Sequence, residues 1–181
     1  MKKVLFALLC VFTLGVSAQE KYVDRNAIIK IESNAEVDDD VRAVNSQVAA
    51  ILIPSQEQIA FQVLIKGFEF KKALMQEHFN ENYMESDKYP KARFQGKIKN
   101  YKDLDIESAS PKKVIISGEM EIRGIKKPFS AEAMMYMENG RLILDSEFLI
   151  TLADFGISIP SVVSDKISKQ FDVKVHAELS K

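Results

Sequence analysis

Cysteine is all but missing: the only one in 181 residues is Cys10. It falls inside a stretch read below as a removable leader, so the mature chain is expected to have no thiol. That excludes disulfides, iron–sulfur clusters and cysteine-type zinc sites. Long hydrophobic runs are missing too. Beyond the first twenty residues the longest is Val48–Ile53, far short of the roughly twenty residues a membrane-crossing helix needs. Nor does one sign of charge dominate: without Lys2 and Lys3, 23 basic groups face 26 acidic ones, a formal charge of −3, and the chain as a whole has no electrostatic reason to seek nucleic acid. A Gly-x-Ser-x-Gly nucleophile elbow, a phosphate-binding glycine loop and a dinucleotide glycine pattern are all absent. So are internal repeats, low-complexity tracts and linker-like stretches.

What is present begins with Lys2 and Lys3, an apolar run from Val4 to Leu14, and the small residues Ser17 and Ala18 before Gln19. This order of parts predicts a secretion signal over residues 1–18, cleaved after Ala18. Leu9 precedes Cys10 where a lipid-attachment site wants a small residue, so the exported chain is expected to be soluble and periplasmic, with secretion as the alternative. Residues 19–181 are then one domain, large enough to bury roughly 70% of its unfolded surface without staples.

Period-two alternation explains most of that domain and points to an all-β protein. Ile59, Phe61, Val63 and Ile65 share one face, as do Phe94, Gly96 and Ile98, and then Val114, Ile116, Gly118, Met120 and Ile122. Phe129, Ala131, Ala133, Met135 and Met137 form the next row, followed by Leu142, Leu144, Phe148, Ile150 and Leu152, and finally by Phe171, Val173, Val175, Ala177 and Leu179. Weaker strands fit Ala27–Ser33 and Gln47–Ile53. Asn139-Gly140 is a two-residue hairpin signal, and Gly124–Pro128 reads as the turn before it. Only Lys71–Met84 follows a helical period, with Leu74, Met75, His78 and Phe79 on one face of about three turns. Pro90 then returns the chain to extended geometry. About eight strands with one apolar face each close into an antiparallel barrel or stack as a sandwich; the barrel is favoured, its interior wide enough for side chains or one slender ligand.

The stretch Ile65-Lys66-Gly67-Phe68-Glu69-Phe70, the helix after it, and Tyr89-Pro90-Lys91-Ala92-Arg93-Phe94 resemble the YceI-like family. Two later pieces do as well: Ser117 to Pro128 is similar to its Gly-x-Leu-x-Ile-x-Gly-x-x-x-Pro hairpin, and Ala153-Asp154-Phe155-Gly156-Ile157 to its Asp-Phe-Gly element. The resemblance implies a lipocalin-like antiparallel barrel of about eight strands with one short helix, exported to the periplasm. It further implies an elongated apolar tunnel that carries a polyisoprenoid or similar lipid, with quinone-type ligands in some members. One departure is that Ala27–Ser33 lacks the histidine many relatives have near the mature start.

On this reading the lumen residues are Phe61, Val63, Ile65, Phe94, Ile116, Met120, Met135, Leu144, Phe148, Ile150 and Val173. Small residues Gly96, Gly118, Ala131, Ala133 and Ser146 on the same rows are expected to leave room, and the methionines to adapt to flexible chains. Burying about twenty lipid carbons at ~0.8 kcal/mol each more than offsets the low end of the roughly 4–15 kcal/mol that association costs. Lys91, Arg93, Lys97 and Lys99 face outward on one strand, a solvated edge that is also a candidate for transient contact with anionic head groups. His78 beside Glu77 and Glu81, and His176 on an outward face, lack a third converging ligand, so no metal site is expected. Asp38-Asp39-Asp40 lacks the spacing of a calcium loop, and Ser164-Asp165 has no histidine near it in sequence. No catalytic residue or resident cofactor is expected. The alternatives are a filled-barrel structural or stress-protective interaction module and, last, an enzyme using Asp145 and Glu147, both on the outward face. Oligomeric state is not legible.

Overall fold

The computed structural model describes residues 19–33, 41–161 and 168–181. The leader, Asp38–Asp40 and Ser164-Asp165 lie outside the described residues. Nine antiparallel strands run in order: β1 (Tyr22–Ser33), β2 (Arg42–Ile53), β3 (Gln58–Leu64), the two-residue β4 (Glu69–Phe70), β5 (Lys91–Ile98), β6 (Lys112–Ile122), β7 (Ile125–Glu138), β8 (Arg141–Thr151) and β9 (Gln170–Leu179). Each long strand pairs with its neighbour in the order β1-β9-β8-β7-β6-β5-β3-β2, and β1 pairs back onto β2, closing an eight-stranded barrel. Closure needs bending, which β1 supplies through register shifts on either side of Ala27.

Two hairpins fix the register of the central strands. Asn139 and Gly140 have φ of 49° and 78°, and Arg123 and Gly124 have 52° and 72°, the left-handed pair that a two-residue hairpin requires. The β6–β7 turn is therefore Arg123-Gly124 and not the longer Gly124–Pro128 segment. Pro128 instead sits inside β7 opposite Glu119. It is tolerated there because β7 pairs β8 only from Ala133 to Glu138, so among the described residues its first half has a neighbouring strand on one side alone.

The helix also differs from the periodic reading. α1 covers only Ala73–His78 and continues as one wider π-type turn, Phe79–Tyr83. Met75 and Phe79 face the barrel, but Leu74 is 62% exposed. The short helix crosses the barrel end, and one row of side chains is all it presents inward.

The two ends of the barrel are unlike. At the end away from α1, Tyr22, Val48, Leu52, Ile59, Ile98, Leu142 and Leu179 are almost wholly buried. Tyr101, Leu104 and Ile106, from the β5–β6 connection, pack against them. Burial pushes the Tyr101 hydroxyl up to about 12, with Tyr22 and Glu20 adding to it, so it stays neutral within this floor. At the α1 end Ile65, Met84, Met120, Ile122, Phe155 and Ile157 form a second cluster, with Phe79 and Tyr83 packed against it.

Candidate functional site

Between floor and helix the barrel holds a cavity of about 200 Å³ that is partly open to solvent. Among the described residues, its wall exposes no nitrogen or oxygen atom to the interior. The polar side chains that border it are committed elsewhere or shielded: Ser146 Oγ donates to the Glu132 carbonyl at 2.6 Å, Arg93 pairs with Glu121 at 3.7 Å, and burial raises the Tyr83 hydroxyl above its ordinary range. Such a space is hostile to charge and to unpaired hydrogen-bonding groups, and suited to hydrocarbon.

The strand alternation puts the predicted side chains at this wall. Phe61, Val63 and Ile65 come from β3 and the turn after it, Phe94 from β5, and Ile116 and Met120 from β6. Leu144, Phe148 and Ile150 from β8 and Val173 from β9 complete the set. Met135 does not reach the cavity. It pairs with Lys112 at the start of β6, near the closed end, where it is 3% exposed among the floor residues. Phe61, Phe94, Phe148 and Ile150 face inward and yet are only half-buried, as expected of side chains bordering a space that protein atoms do not fill.

The small residues contribute unequally. Ala131 and Ser146 border the cavity. Gly96 and Gly118 do not widen it: they stand opposite each other, and a Cβ on Gly96 would lie 2.6 Å from the Phe94 ring, which already occupies that space. A Cβ on Gly118 would strike the β5 backbone, so close strand approach is their role.

Several wall residues escape period-two reasoning. Met75, Phe79, Tyr83 and Met84 come from the helical segment, and Ile157 follows the aperiodic turn after β8, whose first residue, Leu152, continues the β8 row. The Asp-Phe-Gly resemblance marked that turn without giving it a position. Aromatic edges build two sides of the space: Phe129 stands 4.7 Å from Phe148 and 6.0 Å from Phe94, and Phe79 lies 5.5 Å from Phe68 and 5.0 Å from Phe70.

Outside the barrel, Lys97 and Lys99 are exposed, Arg93 faces Glu121 across the β5–β6 ladder and Lys91 is half-buried. Asp145 accepts from Tyr136 at 3.2 Å and lies 2.7 Å from His176 Nδ1, while Glu147 pairs with Lys174 at 3.3 Å. Both carboxylates are thus engaged on the outer face, remote from the cavity. Among the described residues no cluster of three or more His, Cys, Asp or Glu side chains is placed to hold a metal, and no helix is long and apolar enough to cross a membrane.

A closed antiparallel barrel with one short helix over an apolar interior defines a lipocalin-like protein. Residues 25–179 match the YceI-like domain model, and the chain belongs to that family. Similar solved structures agree on the fold. A polyisoprenoid binding domain from Saccharophagus degradans, implicated in plant cell wall breakdown, superposes with a TM-score of 0.76 at 10% identity, over 88% of this chain and 97% of that one. BcnA of Burkholderia cenocepacia gives 0.69 at 12% identity over 86% and 96%. The YCEI protein of Campylobacter jejuni gives 0.52 at 15% identity over the full length of both chains. No curated protein matches the sequence.

Proposed function

We propose that this protein is an exported carrier that sequesters a long-chain isoprenoid or similar amphiphilic lipid in its barrel. The observation that carries the reading is the cavity wall, built from aliphatic and aromatic side chains with no polar atom turned inward. An interior of that chemistry binds hydrocarbon by removing it from water and needs no catalytic group. The polyisoprenoid binding domain among the structural neighbours supports the choice of ligand class. Export is supported by the basic, apolar and small-residue order of the first eighteen residues; an exported carrier would work between lipid surfaces that Lys91, Arg93, Lys97 and Lys99 would touch transiently. Purification under native conditions, followed by organic extraction and mass spectrometry, tests the proposal. A prenyl lipid recovered at about one per protein is the expected result; extracts free of any lipid at that level would overturn it.

A further inference from the structure

The barrel has a seam. β7 and β8 pair from Glu138–Arg141 up to Ala133–Ser146 and there the ladder stops, although β7 extends back to Ile125 and β8 onward to Thr151. Where it stops, the Ser146 hydroxyl donates to the Glu132 carbonyl at 2.6 Å, a side chain taking the place of the next backbone bond. Beyond that point a surface cleft of about 290 Å³ lies between the strands, bordered by Pro128 and Phe129 on one side and Leu149 and Ile150 on the other. Phe129 and Ile150 also border the interior cavity, so these side chains separate cleft from lumen, with the Phe129–Phe148 edge contact closing the gap. Leu149 at its lip is 53% exposed.

A short strap lies across the upper seam. The Leu152–Phe155 turn contributes Asp154 and Phe155 to the cleft. Arg123 holds the strap to the β6–β7 hairpin by donating to the Gly156 carbonyl, and Lys127 faces Asp154 at 3.9 Å. The same Arg123 donates to Glu85 just after the helix. Strap and helix are thereby fixed to one hairpin, and the seam beneath is closed by side chains rather than by a hydrogen-bond ladder.

The geometry points to the β7–β8 seam as a lateral gate through which a flexible hydrocarbon chain enters and leaves the barrel. This rests on the carrier reading above. A ladder of backbone bonds would have to break cooperatively for a strand pair to part, whereas rotation of two phenylalanine side chains does not unfold anything. A chain threading sideways also needs no path past the helix or the packed floor.

The test uses the purified protein, delipidated by organic extraction or exchange and carrying Cys10→Ser wherever the leader is retained, with the neutral dye N-phenyl-1-naphthylamine as probe. Glu132→Cys with Glu147→Cys, the residues flanking the last pair, creates a staple when oxidised. Slower dye association and dissociation on oxidation, restored by reductant, are expected, with Kd shifted less than the rates. Phe129→Ala, which needs no staple, should raise both rates by about tenfold, a barrier lowered by roughly 1.4 kcal/mol. Unchanged rates in the oxidised protein and in Phe129→Ala would overturn the gate. Hydrogen exchange gives a readout independent of any ligand: seam-facing amides of Lys127–Glu132 should exchange much faster than those of Ala133–Glu138. If the delipidated protein binds no dye but exchange follows that pattern, the carrier reading falls and the seam stands; uniform protection along β7 removes the seam itself.

Discussion

His176 sits on the outer face of β9 between two carboxylates, Asp145 at 2.7 Å and Glu178 at 3.5 Å, the latter also bound by Arg141 at 2.5 Å. The hydrogen bond to Asp145 is the largest influence and raises the imidazole above its ordinary range, with burial opposing it and Glu178 adding. A folded-state pKa above the unfolded one means the protonated ring stabilises the native barrel. That contribution is fully present below about pH 6.5, the unfolded value, and fades as pH rises through the higher folded one. The ring is 41% exposed, so solvent and salt screen much of it. Denaturation of the native protein and of His176→Gln between pH 5 and 9 should give a stability difference largest at the acidic end. A difference that grows with pH would show that the neutral ring is the stabilising form. Sequence alone placed His176 outward correctly, but its partners lie 31 and 2 positions away, and only strand register brings Asp145 opposite.

At the scale of elements, alternation located the strands well because each long strand has one face inside and one outside, and side chains repeat every two residues. Alternation is blind to height along the barrel axis, which is why it groups Met135 with the lumen residues although Met135 does not border the cavity. Proline as a turn signal misplaced the β6–β7 hairpin, since a strand with one free side accepts it. Helical periodicity likewise gave Leu74 and Met75 the same face, whereas a helix that lies over a mouth turns a narrow row inward. Leu74→Ser should therefore leave stability within about 0.5 kcal/mol of the native protein. Met84→Ala, in the cluster beneath the strap, should cost roughly 2–5 kcal/mol. Thermal or urea melts check both, and comparable losses for the two would mean that the helix packs as its sequence period implies.

For the whole molecule, the two dissimilar ends matter most. Tyr101 and its neighbours fill one end as an ordinary core does, while the half toward α1 keeps inward aromatics that touch one another only at their edges. The residues from Phe79 to Met84 and from Leu152 to Ile157 finish that half; helical period and alternation reach only their first members, Phe79 and Leu152, because the rest come from a π-type turn and an irregular strap. The resembling pieces cover both segments, one running through the helix to Tyr89-Pro90 and the other, Asp154-Phe155-Gly156, lying within Leu152–Ile157, which is how a resemblance could mark the site where pattern could not. The central claim is that the remaining space is occupied by a lipid tail and not merely left by imperfect packing. Ala131 borders it on β7, opposite Ile116, and a larger side chain there would project into the space. Native mass spectrometry of the protein and of Ala131→Trp, alongside a melt to confirm that the variant folds, tests this most directly. The native protein should carry an extra mass corresponding to a prenyl lipid, and folded Ala131→Trp should lose it; a folded variant retaining the same adduct would contradict the claim.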